Sequence, residues 1–432
     1  MTNETDSAPA PVGDEAASGE AVGGHRHAIA FVFVTVLIDM IGFGIVMPVL
    51  PSLIMDITGE SLSAAAAYSG FLLTAYAVLQ FLFAPLIGGL SDRFGRRPVL
   101  LVSLAAYAVN YLIAGFATTL LWLLLGRIMT GLTSATHATA NALIADVSPP
   151  ETRAQNFGLI GMAFGVGFIL GPALGGLLGE INLRLPFFAA AALAAINVVY
   201  GALMLPETLP RERRRAFDWR RANPLGALLR LASFPALAVL ALASFVYNIG
   251  HHVYPSIWAF FTLERFAWSN FQVGLSLACV GIVMAVVQGG VIRLVIPRLG
   301  LARTALVGFV GSALAFTGHA FAYTVPLLGF WLLVSGFTGL IGPALQGIMS
   351  NQVPQNEQGE LQGVLASLSS IGAIIGPLLM TQLFARYTDS DGLYFAGAPF
   401  LAATVLTLIA MVIFVWRMRR ELRNPAPASG SG

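Results

Sequence analysis

The chain has 432 residues, of which 57% are hydrophobic and only 10% charged, and its formal net charge is +2. Soluble domains usually contain about 25% charged residues, so this composition excludes an ordinary soluble domain and indicates a membrane protein with several spans. The small net charge gives no indication of nucleic-acid binding. The single Cys279 excludes an intramolecular disulfide.

Residues 1–27 are rich in alanine, glycine, serine and acidic residues, and we expect them to be disordered. They lack the basic start and the cleavage site of a signal peptide. Apolar stretches long enough to cross a bilayer follow. They predict an all-α fold with twelve spans at about 28–51, 66–90, 98–117, 119–146, 155–178, 186–205, 235–262, 271–294, 302–323, 325–350, 359–385 and 394–417.

The one long connection between spans, residues 206–234, contains seven arginines. It predicts two six-helix bundles at 28–205 and 235–417, followed by a tail at 418–432. Nineteen of the 23 basic residues lie at the chain ends and in the even-numbered loops. Three lie on the other side of the predicted membrane: Arg184, Arg265 and Arg386. Because arginines beside spans mark the cytoplasmic side, we expect both termini and the long loop to be cytoplasmic, in the inner membrane of a cell.

The two predicted bundles are related by a constant offset of 205 residues, without a gap. Six residues of the first bundle match the second in type when the offset is added: Arg93, Gly95, Pro149, Gly158, Gly171 and Pro172. The pattern indicates two parallel repeats about an axis normal to the membrane. The second copy has Pro297 where the first has Asp92, so we expect two gates of unequal strength.

A short charged loop separates spans 2 and 3. Gly95 permits a tight turn there, and Asp92 can cap a helix or pair with an arginine. The pattern G-x-x-x-D-R-x-G-R-R resembles the signature loop of the major facilitator superfamily, and its matching residues are Gly88, Asp92, Arg93, Gly95, Arg96 and Arg97. The alternative is a solvated basic loop between two spans.

Asp146 ends span 4 at the same predicted membrane face as this loop. We expect it to bridge to Arg93 or Arg96 and so to form part of a cytoplasmic gate with the loop residues. An ordinary carboxylate at a helix end is the alternative.

Asp39 is the one carboxylate that the predicted spans place deep in the bilayer. A charge there costs about 2.5–3.5 kcal/mol on insertion scales, and burial favours the neutral, protonated carboxyl. Such a group suits proton exchange, with a permanently paired structural ion as the alternative. Arg127 is the one arginine well inside a span, and its run resembles the helix 4 arginine motif of proton-coupled members, which makes Asp39 its candidate partner. A snorkelling arginine is the alternative.

Span 5 contains the run Gly167 to Gly176. Its G-x-x-x-G-P-x-x-G-G pattern resembles the antiporter signature of drug–proton exporters, matched by Gly167, Gly171, Pro172, Gly175 and Gly176. Small residues with an internal proline make a smooth, kinked face on which another helix can rock. Ordinary small-residue packing is the alternative.

Polar and aromatic residues within the spans predict a substrate cavity. The candidates are Tyr76, Gln80, Asn110, His137, Asn141, Asn248, His251, Tyr254, Trp258, Gln288 and Gln346. For each of them taken alone, a hydrogen bond across a helix interface is the favoured alternative. The adjacent His251 and His252 point in different directions on a helix, so we predict cavity lining and no metal site.

The resemblance runs from helix 1 to helix 11 and is strongest to the tetracycline–proton antiporter branch, through Asp39–Pro51, Ser91–Leu101, Gly126–Asp146 and Leu361–Gly363. It implies a monomeric efflux antiporter of a small, amphipathic, drug-like molecule. Such a transporter is not an enzyme, needs no cofactor and is driven by the proton gradient, with protons, substrate and lipid as partners. That branch has acids in helices 3 and 9, whereas this chain has Asn110 and no acid in residues 302–323. The alternatives are a proton-linked metabolite symporter or facilitator and, more remotely, a transporter-like receptor.

Overall fold

The computed structural model describes residues 14–133, 136–148, 150–214, 235–354, 357–389 and 392–423, and this part of the chain is helical without strands. The first bundle contains α1 (Asp14–Val46), α2 (Leu50–Thr58), α3 (Leu62–Phe94), α4 (Arg96–Phe116), α5 (Leu120–Thr133), α6 (Thr136–Val147), α7 (Pro150–Ile181) and α8 (Leu185–Met204). The second contains α9 (Pro235–His251), α10 (Val253–Phe266), α11 (Asn270–Val286), α12 (Ile292–Ala320), α13 (Val325–Val334), α14 (Ile341–Ser350), α15 (Gln358–Thr388) and α16 (Ala398–Arg423).

Ten described helices are long and apolar enough to cross a membrane, and the shorter apolar helix α5 lies at predicted span 4. One of the ten covers 51 residues, Asn270–Ala320, which is more than twice the length that a bilayer requires. It breaks at Gly300, where φ is +73° and ψ is 166°. The break divides this helix into two spans, which raises the number from ten to eleven. The helices α5 and α6 together correspond to predicted span 4, so the described helices match the twelve predicted spans.

Several helices begin or end away from the predicted bounds. The first span ends at Val46 and resumes as α2, because Pro48 cannot donate a backbone hydrogen bond. The helix α1 begins at Asp14, inside the segment predicted to be disordered, where two acidic residues and an alanine-rich run favour a helix start. In the predicted linker, a short 3₁₀-helix at Arg211–Arg213 is described, while residues 215–234 lie outside the described residues.

The offset of 205 residues relates two glycines with the same unusual backbone. Gly95 has φ +110° and Gly300 has φ +73°, and glycine adopts such values without steric cost. Both interrupt helices at corresponding places in the two bundles. Their shared conformation supports the internal repeat that the sequence indicates.

We define the basic face as the end of the molecule that contains Asp92 to Arg97, and the opposite face as the other end. Towards the opposite face, a Cβ added to Gly70, Gly176 or Gly274 would collide with a residue of the other bundle. Towards the basic face, such a Cβ would meet nothing within 4 Å at five glycines: Gly88, Gly158, Gly289, Gly290 and Gly363. Within the described residues, the bundles therefore touch near the opposite face and separate near the basic face, which leaves a cleft on the side of the arginine-rich loops.

Candidate functional site

A cavity of about 250 Å³ lies between the two bundles. Asp39 and Arg127 both line it, together with Asn110 and Tyr111 from the first bundle and Trp258 from the second. Asp39 is 9% exposed, so its carboxyl group is buried but open to the cavity. The structure therefore brings the two charged residues that the sequence places inside the spans to one chamber.

Tyr111 lines the same chamber as these two residues. Its hydroxyl lies 3.2 Å from the position that a Cβ on Gly42 would occupy, so the absence of a side chain at Gly42 lets the tyrosine approach the helix that contains Asp39. At Gly126, a Cβ would collide with the amide oxygen of Asn110. Glycines thus permit close packing around both charged residues.

A chain of hydrogen bonds forms another wall of this cavity. The Gln80 amide donates to the Tyr76 hydroxyl over 3.1 Å, and that hydroxyl lies 3.2 Å from the Tyr107 hydroxyl. The sequence interpretation found Tyr76 and Gln80 but missed Tyr107. The available signal was spacing, because Tyr107 precedes Tyr111 by four residues and so shares its helix face.

A second cavity of about 410 Å³ adjoins the first in the second bundle. The two cavities share lining residues that include Met47, Tyr254 and Trp258. Three further predicted residues line the second cavity, Asn248, His251 and Gln288, and Tyr247 lies beside them on α9. Ligand sites commonly measure about 300–1,000 Å³, so the joined space suits a drug-sized molecule.

Three of the predicted cavity residues lie elsewhere or are not described. Asn141 is exposed on α6. Gln346 is exposed and donates to the Gln362 side chain over 3.1 Å, which is the helix-interface alternative. His137 lies on α6, but its side chain lies outside the described residues.

The predicted gate residues form an ion-pair network at the basic face. Arg96 binds Asp92 at 2.5 Å and Asp146 at 3.2 Å. Arg93 instead lies over the ring of Phe94. Asp146 therefore pairs with Arg96, which is one of the two partners that the sequence predicts. All three partners belong to the first bundle, on one side of the open cleft. Their role in closing the cleft stays a prediction.

Glu207 completes this network, and the sequence interpretation missed it. Its carboxylate accepts hydrogen bonds from the backbone N–H groups of Arg96 (2.9 Å) and Arg97 (3.3 Å) at the start of α4. A Cβ on Gly95 would collide with this carboxylate. An anion at a helix N-terminus is stabilising, so Glu207 stabilises the contact between this loop and the chain that follows α8. The one sequence signal was an acidic residue directly after span 6.

The antiporter-like run on α7 contacts both bundles. A Cβ on Gly171 would lie 2.7 Å from the Ile41 carbonyl oxygen, and one on Gly167 would lie 2.5 Å from the Met40 Cβ atom. On the other side of the helix, a Cβ on Gly176 would lie 2.6 Å from the Asn270 carbonyl oxygen. The run therefore packs between the turn of α1 that contains Asp39 and the start of α11.

We expect Asp92→Asn to slow transport several-fold while leaving the amount of protein in the membrane unchanged. The Asp92 side chain is 46% exposed, and exposed ion pairs contribute only about 0–1 kcal/mol to stability, so folding should not suffer. Transport and quantitative blotting in the same vesicles measure the effect. Pro297→Ala, at the corresponding place of the second repeat, is the control and should have the smaller effect. Wild-type transport by Asp92→Asn would remove this residue from the gate.

Glu180 joins the bundles at the opposite face. Its carboxylate accepts a hydrogen bond of 2.9 Å from the backbone N–H of Phe271, at the start of α11. Beside it, Ser52 donates to the Asn270 side chain over 3.0 Å. Charged acceptors at helix N-termini contribute about 0.3–1 kcal/mol, and up to about 2 kcal/mol in partly buried sites.

We expect Glu180→Gln to raise the population that is open at the opposite face about two- to fivefold, since the charge that caps α11 is lost. The measurement is the rate at which an impermeant maleimide labels Ser256→Cys in intact cells, with Cys279 replaced by serine. Glu60→Gln is the matched control, because Glu60 bonds Tyr68 within the first bundle. Equal labelling rates in both variants would contradict a latch at Glu180.

Comparisons with known proteins agree with this arrangement. The chain matches the Major Facilitator Superfamily over residues 32–322 and 293–431. It is 41% identical over 388 residues to the class C tetracycline resistance protein of Escherichia coli, covering 89% of this chain and 96% of that protein. It is also similar to the crystal structure of the human organic anion transporter MFSD10 (TETRAN), with a TM-score of 0.68 and 26% identity over 90% of this chain and 99% of that one. The nucleoside transporter NupG shares the fold alone, with a TM-score of 0.74 and 15% identity over 92% of this chain and 99% of that one.

Proposed function

Because the chain belongs to the Major Facilitator Superfamily, we propose that this membrane transporter exports a tetracycline-like drug in exchange for a proton. The observation that supports it most is the shared chamber of Asp39 and Arg127 between the two bundles. An exchanger needs one site that responds to both protonation and substrate, and a buried carboxyl group in the same chamber as a guanidinium group can provide it. The class C relative supports a tetracycline as the substrate.

The mechanism follows from two opposing effects on Asp39. Burial favours its protonated form, while the positive charge of Arg127 favours its carboxylate. As the bundles rock, water access to the chamber changes, and with it the balance between these effects. The protonated and deprotonated states then favour opposite openings of the cleft, so drug and proton move in opposite directions.

The test uses inverted membrane vesicles with an acidic interior, which is monitored by a pH-sensitive dye. We expect added tetracycline to make the interior more alkaline as drug enters and protons leave. An antiporter and a symporter differ in sign here, because a symporter moves substrate and proton the same way. Further acidification, or no response to tetracycline in vesicles that contain the protein, would overturn the proposal.

The proposed orientation places the basic face in the cytoplasm, since arginine-rich loops stay on that side. We expect Arg214→Cys, in a chain with Cys279 replaced by serine, to resist impermeant maleimide in intact cells and to react after permeabilisation. Labelling of the intact cells would reverse the orientation. Arg184→Cys, at the opposite face, serves as the control that should react from outside.

A further inference from the structure

His319 is a buried histidine for which the mechanism above has no use. It lies near the end of α12 and is fully buried, and neither ring nitrogen has a hydrogen-bond partner within the described residues. The Ala315 carbonyl oxygen, one turn earlier, is close to the ring but does not meet hydrogen-bond geometry. A neutral imidazole presents one donor and one acceptor, and buried polar atoms without partners call for an explanation.

Aromatic rings surround this imidazole and connect it to the cavity. The ring centroids of Trp258 and Tyr254 lie 5.2 Å and 5.7 Å from it, both nearly perpendicular to it, and that of Phe400 lies 5.4 Å away. Tyr254 and Trp258 also line the chamber that contains Asp39. Only one layer of side chains therefore separates His319 from the chamber that contains Asp39.

Two more polar atoms in this layer are buried without partners in the described part of the chain. They are the Ser256 hydroxyl and the Tyr254 hydroxyl, which the Ser335 side chain approaches without hydrogen-bond geometry, and both residues line the Asp39 chamber. The imidazole and these two hydroxyls are thus three buried polar groups at the layer between α12 and the chamber. Such groups can hold ordered water, which hydrogen-bonds to polar atoms that have no other partner.

The surroundings of His319 contain few other titratable or charged groups. Tyr254 faces it from α10, Phe400 from α16, and Trp331 of α13 packs against the neighbouring Gly318. The Arg265 guanidinium donates to the carbonyl oxygen of Ala322, three residues after His319, over 3.4 Å. Arg265 belongs to the opposite face, so His319 lies just inside the end of the molecule that is closed in this state.

We propose that His319 is a proton-relay residue, which takes a proton from water at the opposite face and passes it through Tyr254 and chamber water to Asp39. The inference rests on the proposed proton exchange. In each transfer the accepting atom gains one proton as the donor loses one: Tyr254 gives its hydroxyl proton towards Asp39 and regains one from the imidazolium. Burial disfavours the imidazolium, so it exists only during the transfer, and the closed opposite face prevents leakage in the present state.

The test compares proton-driven uptake of labelled tetracycline into inverted vesicles with drug-for-drug counterflow, in which no net proton moves. We expect His319→Phe to lower the ratio of driven uptake to counterflow about tenfold or more, because only the first process uses the relay. A merely structural role would reduce both processes alike and leave the ratio unchanged. Phe414→Leu changes a buried ring of the same bundle that lines neither cavity, so it is the control for packing and should keep the wild-type ratio.

The ratio does not depend on how much protein folds, and His319→Gln offers a second variant that keeps a polar side chain without a titrating ring. A wild-type ratio in either variant overturns the relay while leaving the exporter intact. Absence of counterflow in the wild-type protein overturns the tetracycline proposal itself, and with it the relay. The two failures are therefore distinguishable in one set of vesicles.

Discussion

Asp39→Asn should abolish uphill, proton-driven drug accumulation. One drug exchanged for one proton across a pH difference of about 2 supports roughly 100-fold accumulation, since each pH unit is worth about 1.4 kcal/mol. An amide keeps the size and part of the hydrogen bonding of the carboxyl group but cannot bind or release a proton. We therefore expect accumulation in inverted vesicles to fall to about onefold, while drug binding and downhill exchange persist.

Asp39→Glu is the matched control, because it retains a titrating carboxyl group in the same chamber. We expect it to keep part of the driven transport, with an altered pH dependence. Full accumulation by Asp39→Asn would leave the exchange mechanism without its proton site. Loss of drug binding together with driven transport would instead show that Asp39 binds the substrate directly.

Gly175→Ala should have the largest effect on stability of any glycine substitution in α7. A Cβ at this position would lie 2.7 Å from both the Cα and the carbonyl carbon of Ile45 and would also collide with the Ile45 carbonyl oxygen. These are backbone atoms of α1, so no side-chain rotation relieves the clash and the helices must separate. Overpacking of this kind typically costs about 1–3 kcal/mol, and we expect a lower Tm and strongly reduced transport.

Gly161→Ala is the control for stability, since a Cβ there would meet nothing within 4 Å on the same helix. In a helix interior, alanine is favoured over glycine by about 0.5–1 kcal/mol, so the Tm of this variant should stay level or rise. Thermal unfolding of both proteins in detergent measures the contrast. Equal Tm values would show that α7 and α1 pack less closely than the contact at Gly175 indicates.

The sequence by itself determined the class, the helical architecture and the two charged residues of the chamber. Each depends on local properties: a bilayer requires long apolar helices, arginines mark one side of the membrane, and a buried charge is too costly to occur without a use. Asp39 and Arg127 stand out for that reason before any contact is known. The small residues of the α7 run stand out equally well, because close helix packing requires them.

Only the tertiary structure decided which of these residues meet and what else surrounds them. Glu207 caps α4 from 111 positions along the chain, and no local pattern encodes a contact at that separation. The selection of Arg96 over Arg93 depends on the direction of each side chain as it leaves α3 and α4. His319 is inconspicuous in sequence, because what distinguishes it is a buried ring whose nitrogens lack hydrogen-bond partners within the described residues. Such burial is a property of packing between helices, which composition and periodicity do not specify.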